Sequence, residues 1–278
     1  MRTEELANLR KWFRHYVRKF AQNGKRMHPL LQLKARHSER VAQEARALAT
    51  DLGWLQGYRN AAEAMGLLHD IGRFSQFAEH RTFADSKSFD HGEWGWAIAR
   101  KAAPLSCLPH AERERILDGI RYHNRRVIPD IIASRHRAFL NLIRDADKLD
   151  IFRVTLNLVE RNGFQELPNI LPAVTLGRAP SPAIIREFHR RQTCSLRKVK
   201  SLGDFLVMQL SWIYDLCYTP TYRRVVERGI LSRILRLIEG DNLVHDLGAQ
   251  LDQWITSRLI EKAGKTAVCN VSLQIPVR

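Results

Sequence analysis

The sequence predicts an all-α fold. Apolar residues recur at steps of three and four along most of the 278 residues, which is the spacing of amphipathic helices. Glycine and proline flank these stretches, where helices usually start or stop. Alternation of apolar and polar residues, which would indicate a strand, is confined to a short tail near 268–275.

Six helices are predicted in the first part of the chain. Asp90 and Glu93 form a capping-box-like pair at the start of the fourth, and proline suits the first turn of the fifth. The first runs from Thr3 to near Gly24, and the second contains Val41, Ala45 and Leu48 and ends at Gly53. The other four run from Asn60 to His69, from Asp90 to before Pro104, from Pro109 to about His123, and from about Ser134 to Asn162.

A proline-rich stretch divides the chain. Four prolines lie between Leu167 and Pro182, with few charges and little periodicity, so residues 164–182 are expected to be a loop or linker. It separates a helical core domain, residues 1–163, from a C-terminal helical extension, residues 183–278, that is expected to pack on the core. Helical spacing within the extension covers Asp204–Cys217, Pro220–Ile238 and Leu243–Lys262.

The charge of the chain favours anionic partners. Lysine and arginine total 45 against 29 acidic residues, a net charge of +16. Such a surplus attracts nucleotides, nucleic acid or acidic membrane surfaces. A solvated basic surface without such a partner is the alternative.

Cysteine usage and hydropathy predict a cytoplasmic protein. The four cysteines lie far apart without a CxxC pair, which argues against a zinc ribbon, a thioredoxin-like motif or a disulfide scaffold. No apolar run approaches the roughly 20 residues of a membrane helix, and no signal peptide is evident. The first helix is basic and amphipathic, and packing against the domain is favoured over lying on a membrane.

Two histidines are expected to point inward. His37 shares a helical face with Val41, Ala45 and Leu48, and His69 follows Met65 by four residues at the end of an apolar helix. Neutral imidazoles brought together at a buried site are typical ligands of divalent transition metals. A core network of histidine and aspartate is the alternative.

Carboxylates accompany these histidines. Asp70 follows His69 directly, and because neighbouring helical residues point about 100° apart, both can face one metal only where the helix ends. Ile71 and Gly72 supply that end, and a carboxylate there can bridge two ions. Asp147 and Asp145 both lie among apolar residues, and periodicity does not choose between them. For Asp147 the alternative is a salt bridge, for example to the helix that carries Arg40.

This order of residues resembles the H…HD…D signature of the HD superfamily of metal-dependent phosphohydrolases: His37 comes first, His69-Asp70 second and Asp147 last. The run Leu-Leu-His-Asp-Ile-Gly at 67–72 is similar to the central motif of the family, and Ala-Asp-Lys-Leu-Asp at 146–150 is similar to its closing motif, which selects Asp147. The resemblance covers about residues 30–155. It implies that residues 1–163 form an HD-type metal-binding helical domain, an HD-domain-like bundle with additional C-terminal helices.

The resemblance also implies a second ion. In family members with two metals, histidines between the HD pair and the last aspartate complete the set of ligands around the second metal, which makes His91 and His123 candidate ligands. One or two divalent ions are therefore expected: iron, manganese, zinc, cobalt or magnesium. Asn124 stands where the cyclic-dinucleotide branch has a second consecutive histidine, and no Gly-Tyr-Pro motif is found, so the resemblance does not extend to that branch.

The implied mechanism is attack on phosphorus by metal-activated water. Asp70 is expected to orient that water. Arg73, where the family often has lysine, is expected to grip phosphate as a catalytic residue. Lys148 is a further candidate for phosphate binding, and so are Arg125 and Arg126.

The leading hypothesis is a phosphohydrolase, a phosphodiesterase or phosphatase, acting on a nucleotide or related phosphate ester. A catalytically silent HD module that binds a regulatory nucleotide is the first alternative. A basic nucleic-acid-binding protein is the second, and it is not favoured because no helix-turn-helix, RNA-recognition or zinc-finger pattern is found. The apolar stretch from Phe205 to Ile213 could pack on the core or on a second subunit, so a homodimer stays open.

Overall fold

The computed structural model describes residues 1–22, 26–162, 174–190 and 194–263. Nearly all regular structure in these ranges is helical, which confirms the predicted all-α class. The described strands are two residues long each, Ala21–Gln22 and Arg26–Met27, and they form one antiparallel pair. The chain divides into two compact units, Met1–Pro172 and Ala173–Arg278.

Eight helices of the N-terminal unit are described: α1 (Thr3–Arg18), α2 (Pro29–Asp51), α3 (Gln56–Leu68), α4 (Gly72–His80), α5 (His91–Arg100), α6 (Ala103–Ser106), α7 (His110–Tyr122) and α8 (Ser134–Asn162). Proline occupies the first turn of α2, where its missing N–H costs no hydrogen bond. The Asp90 carboxylate caps α5 by accepting hydrogen bonds from the backbone N–H groups of Gly92 and Glu93, whereas the Glu93 carboxylate accepts from Arg121 instead of completing the predicted capping box.

Helix α2 packs against α3 and α8, and α5 packs against α4 and α7. Two glycines allow the closest approaches. A Cβ atom at Gly66 of α3 would lie only 2.8 Å from Cα of Ala42 in α2, and one at Gly72 of α4 would collide with the backbone carbonyl oxygen of His91. These contacts bring the end of α3 close to both α2 and the start of α5.

The C-terminal unit contains α9 (Pro182–His189), α10 (Leu202–Ser211), α11 (Thr219–Glu227), α12 (Ile230–Leu235) and α13 (Asp241–Ala263). Helix α10 starts with a capping box in which the Ser201 hydroxyl accepts from the Asp204 backbone N–H, and the Asp204 carboxylate accepts from the Ser201 backbone N–H. Every residue of α10 is buried.

Several predicted boundaries are wrong. The helix predicted over Pro220–Ile238 is two helices, because Gly229 adopts a left-handed φ of 57° between α11 and α12. The helix predicted over Asp204–Cys217 ends at Ser211 and continues as a 3-10 turn. The first helix ends at Arg18 instead of near Gly24.

Helix α4 was missed because Gly72 suggested a helix end. His69 and Ile71 keep helical dihedral angles, and only residues 69–71 separate the end of α3 from the start of α4 at Gly72.

The predicted domain boundaries stay a prediction. The division between the two units falls within the predicted linker 164–182, but residues 163–173 lie outside the described residues, as does the predicted strand-like tail at 268–275. Within the described part of the chain, every helix is too short or too polar to cross a bilayer.

Candidate metal centre

His37 lies on the buried face of α2, and its side chain is held by a carboxylate. The Nδ1 atom of His37 lies 2.7 Å from Oδ2 of Asp150 in α8. Arg40, one turn further along α2, donates two hydrogen bonds to the same carboxylate, at 2.6 and 2.8 Å. Because an ionised carboxylate only accepts, Nδ1 of His37 carries the proton and Nε2 is directed into the site.

His69 and Asp70 lie at the junction of α3 and α4. His69 is fully buried, and its Nδ1–H donates to the backbone carbonyl oxygen of Gly66 at 2.7 Å. Asp70 is 3 % exposed. The break between α3 and α4 lets two neighbouring residues face one point, which an unbroken helix would prevent.

His91 and His123 approach Asp70 from the other side. His91 is the first residue of α5, and its Nδ1 lies 2.7 Å from Oδ2 of Asp85. His123 directly follows α7, and its Nδ1–H donates to the backbone carbonyl oxygen of Ile120 at 2.9 Å. Both rings are buried and, like His37 and His69, direct Nε2 into the site.

The first cluster consists of His37, His69, Asp70 and Asp147. Oδ2 of Asp70 lies 3.6 Å from Nε2 of His37 and 3.6 Å from Nε2 of His69. Oδ1 of Asp147 lies 3.0 Å from the first nitrogen and 3.6 Å from the second. The structure thus brings together the four residues that define the sequence signature.

The second cluster consists of Asp70, His91 and His123. Here Oδ1 of Asp70 lies 3.4 Å from Nε2 of His91 and 3.7 Å from Nε2 of His123. Asp70 therefore stands between the two clusters and turns one oxygen towards each. This is the arrangement that a carboxylate needs to bridge two cations.

The first cluster contains buried polar atoms that lack partners. Among the described residues, Nε2 of His37, Nε2 of His69 and Oδ1 of Asp147 are buried without a hydrogen bond. Nε2 of His37 and Oδ1 of Asp147 lie 3.0 Å apart, a distance at which they attract each other only when that nitrogen carries a proton. A buried polar atom left unpaired costs about 1–3 kcal/mol, and a cation among these atoms would remove that cost.

The second cluster requires a positive charge between its imidazoles. Nε2 of His91 and Nε2 of His123 are only 3.1 Å apart. Since each Nδ1–H is already donated to an acceptor, two neutral rings would face each other with lone pairs. A metal ion or a proton between them resolves this repulsion. In both clusters the donor atoms of three residues lie within 4.8 Å of one another, so the residues present fit divalent metal ions.

Charge neighbours keep the carboxylates ionised. Burial acts to raise the pKa of Asp70, but the ammonium group of Lys34 and the imidazole of His69 hold that pKa well below its ordinary value. Burial likewise acts to raise the pKa of Asp147, and the imidazoles of His37 and His69 lower it well below its usual range. Both side chains are thus in the form that binds cations.

The histidines differ in their proton affinity. Burial, together with the charge of Arg73, lowers the pKa of His91 to about 4, so this ring is neutral at neutral pH. Burial and the charge of Lys34 also act against protonation of His37, but the carboxylates of Asp147 and Asp150 outweigh them and raise its pKa. In the metal-free protein the first cluster therefore attracts a proton more strongly than His91 does.

Asp147, rather than Asp145, is the carboxylate beside His37 and His69, in agreement with the resemblance. Its side chain is 21 % exposed, the most of the four residues of the first cluster, so Asp147 lies towards solvent. Arg40 itself binds Asp150, and the residue of α2 that lies beside Asp147 is His37, at 3.0 Å.

Arg73 has other partners than a phosphate. Its guanidinium donates to Oδ1 of Asp85 at 2.8 Å, to Oε1 of Gln76 at 2.9 Å and to the carbonyl oxygen of Phe83, while Nε lies 3.5 Å from Oδ1 of Asp70. Lys148 is half-buried next to Asp147 on α8. The phosphate-binding roles of Arg73 and Lys148 stay predictions, as does metal ligation by the clusters.

Three residues that contact the site were not singled out from the sequence. Lys34 lies 2.6 Å from Asp70, and its position three residues before His37 on one helical face could have pointed to it. Asp150 could have been found by the same reasoning, since it follows Asp147 by three residues. Asp85 gives no such signal because it lies between helices, where periodicity carries no information.

Comparison with known families supports the resemblance. The family model described as HD domain matches residues 35–159, a range that contains every histidine and aspartate of the two clusters. No curated protein and no solved structure matches the chain.

Proposed function

Residues 35–159 of this chain are an HD domain, the mark of the metal-dependent phosphohydrolase superfamily, and from this premise we propose that the chain hydrolyses a phosphate ester. One observation carries the proposal: the unpartnered Nε2 atoms of His37 and His69 are buried around one oxygen of Asp70, and the unpartnered Oδ1 of Asp147 lies beside both nitrogens. A core network built for stability alone would pair these atoms with one another.

The two clusters supply the ligands. His37, His69, Asp70 and Asp147 would hold one divalent ion, and the second oxygen of Asp70 with His91 and His123 would hold another. When bound, such ions act as Lewis acids that lower the pKa of water and neutralise phosphoryl oxygens. Mixed nitrogen and oxygen donors suit iron, manganese, zinc, cobalt or magnesium.

The surrounding residues fix the geometry of the ligands. Asp150 and Asp85 each accept the Nδ1–H of a histidine, which sets the tautomer and raises the basicity of Nε2. Asp70, held between the clusters, would orient the attacking water by accepting a hydrogen bond from it. We expect the substrate to approach past Asp147, the most exposed residue of the first cluster.

A nucleotide or a related small phosphorylated molecule is the substrate class that we favour. The net charge of +16 attracts polyanions, and the buried clusters suit a phosphate group rather than a long polymer. Asn124 donates a hydrogen bond to the helix-capping carboxylate of Asp90 at 2.8 Å. It thus has a structural partner at the position where the cyclic-dinucleotide branch has a second histidine.

The test combines metal content with turnover. Protein loaded separately with Mn²⁺, Fe²⁺, Zn²⁺, Co²⁺ or Mg²⁺ should hydrolyse a mono- or bis-aryl phosphate ester, and mono-, di-, tri- and cyclic nucleotides would then be screened. Chelation and the Asp70→Ala substitution should reduce the rate to background. His15→Ala, at an exposed position on α1, is the matched control and should keep wild-type turnover.

Two outcomes would contradict the proposal. Protein that binds no divalent metal would remove its basis. Protein that binds metal and nucleotide but shows no turnover on any substrate class would favour a silent module that binds a regulatory nucleotide.

A further inference from the structure

We propose that Lys34 binds the phosphate group of the substrate, and that it becomes free to do so when a metal ion replaces it at Asp70. The inference rests on the proposed function and adds a residue to it. Lys34 is not one of the residues of the H…HD…D signature, and it lies just before the HD match at residues 35–159.

Lys34 contacts the centre of the site directly. It lies on α2 three residues before His37, and its Nζ atom is 2.6 Å from Oδ2 of Asp70. Its side chain is 21 % exposed, the same fraction as that of Asp147. Lys34 therefore reaches from the solvent side of the site to its most buried carboxylate.

The oxygen that Lys34 binds is also the oxygen of the first cluster. Oδ2 of Asp70 faces the Nε2 atoms of His37 and His69, each 3.6 Å away. A divalent ion held by these atoms would be coordinated by the same carboxylate oxygen that now accepts a hydrogen bond from the ammonium group. The ion and the ammonium group would also repel each other. The ion pair between Lys34 and Asp70 is thus expected to weaken as metal binds.

Lys34 is better placed than Arg73 to move. The Arg73 guanidinium is held by Asp85, Gln76 and the carbonyl oxygen of Phe83, so turning it would break three hydrogen bonds. The second contact of Lys34 is a weak one, with the face of the Phe83 ring 5.8 Å from Nζ. An ammonium group on a flexible four-carbon chain keeps its charge and its three donors wherever it turns.

A phosphate group gives the released ammonium a new anionic partner. The same positive charge then neutralises Asp70 in the metal-free protein and the phosphate group of the substrate in the loaded one. No covalent step is involved; one ion pair is exchanged for another.

The experiment measures metal and phosphate binding separately. Lys34→Met removes the charge and keeps the length of the side chain, Lys34→Arg keeps the charge, and Lys11→Met, at an exposed position on α1, is the matched control. Metal-free proteins are titrated with Mn²⁺, and Mn²⁺-loaded proteins are then titrated with inorganic phosphate by calorimetry.

Two opposite shifts are expected. Lys34→Met should bind the first Mn²⁺ about tenfold more tightly, because a competing positive charge is gone. It should bind phosphate about tenfold more weakly, whereas Lys34→Arg stays within about threefold of wild type. A lysine that only neutralised Asp70 would give the first shift without the second, so the loss of phosphate affinity is the result specific to the proposed role.

Each remaining outcome is decisive. Loaded Lys34→Met protein with wild-type affinity for phosphate, or metal-free Lys34→Met protein with unchanged or weaker Mn²⁺ binding, would overturn this inference and leave the proposed function intact. Wild-type protein that takes up no Mn²⁺, nor any of the other metals above, would overturn both.

Discussion

Replacing Asp150 with asparagine is expected to weaken metal binding at the first cluster, although Asp150 is not itself a candidate ligand. Its carboxylate accepts from Nδ1 of His37 at 2.7 Å and from Arg40 at 2.6 and 2.8 Å. An asparagine amide is neutral and can turn a donor towards the ring, so His37 loses the acceptor that fixes its tautomer. Loss of such support typically costs 10- to 100-fold in metal affinity, or about 1.4–2.7 kcal/mol.

The assay is a titration of metal-free protein with Mn²⁺ against a competing chelator. Asp252→Asn, at an exposed position on α13, controls for the loss of one negative charge. Thermal unfolding followed by circular dichroism checks the fold, because Arg40 also loses its partner; the Arg40 side chain is 23 % exposed, so water can replace that partner. A folded Asp150→Asn protein that binds Mn²⁺ within threefold of wild type would refute the reasoning.

Asp85→Asn should weaken metal binding at the second cluster, as Asp150→Asn does at the first. The metal content should then fall from two ions per chain towards one, because the first cluster stays loaded. A content of two ions would contradict this expectation. Gly72→Ala should lower the free energy of unfolding by about 3 kcal/mol or more, because the new methyl group meets the backbone of His91. The control Gly177→Ala should change the free energy of unfolding little, and urea unfolding measures both variants. In the metal-free protein, histidine NMR should show His91 neutral down to pH about 4, and a midpoint near its ordinary 6.5 would contradict the burial argument. Since the unfolded chain binds the proton first, this group should make stability fall as pH drops from 6.5 to about 4.

Periodicity predicted much of the site because it places a side chain on a face of its own helix. His37 shares a helical face with Val41 and Ala45, and His69 follows Met65 by one turn. Both histidines are therefore predicted to be buried, whichever helices pack against them. A helix end beside Asp70 was also predictable from the sequence, although a second helix, α4, begins at Gly72. What links these residues into one site, however, came from the resemblance.

Distances between elements could not be predicted in this way. Periodicity does not say which helix lies opposite, so the choice of Asp150 rather than Asp147 as the partner of Arg40 required the packing of α2 on α8. Asp85 lies in an irregular segment, and its contact with His91 depends on tertiary structure alone. The division of the predicted Pro220–Ile238 helix depends on one left-handed residue, Gly229, in an otherwise helical sequence.

The four imidazoles acquire their orientation at different stages of folding. His69 and His123 are each held by a backbone carbonyl three residues earlier, so their rings are set as soon as the local turn forms. His37 depends on Asp150, which is 113 residues away in sequence. Closing so long a segment carries a large entropic cost, so the first cluster is completed only when α2 and α8 have docked. A metal ion bound at the first cluster would stabilise this long-range contact. Removing the ion should weaken the packing of α8 on α2 before the ends of α3 and α7 are disturbed.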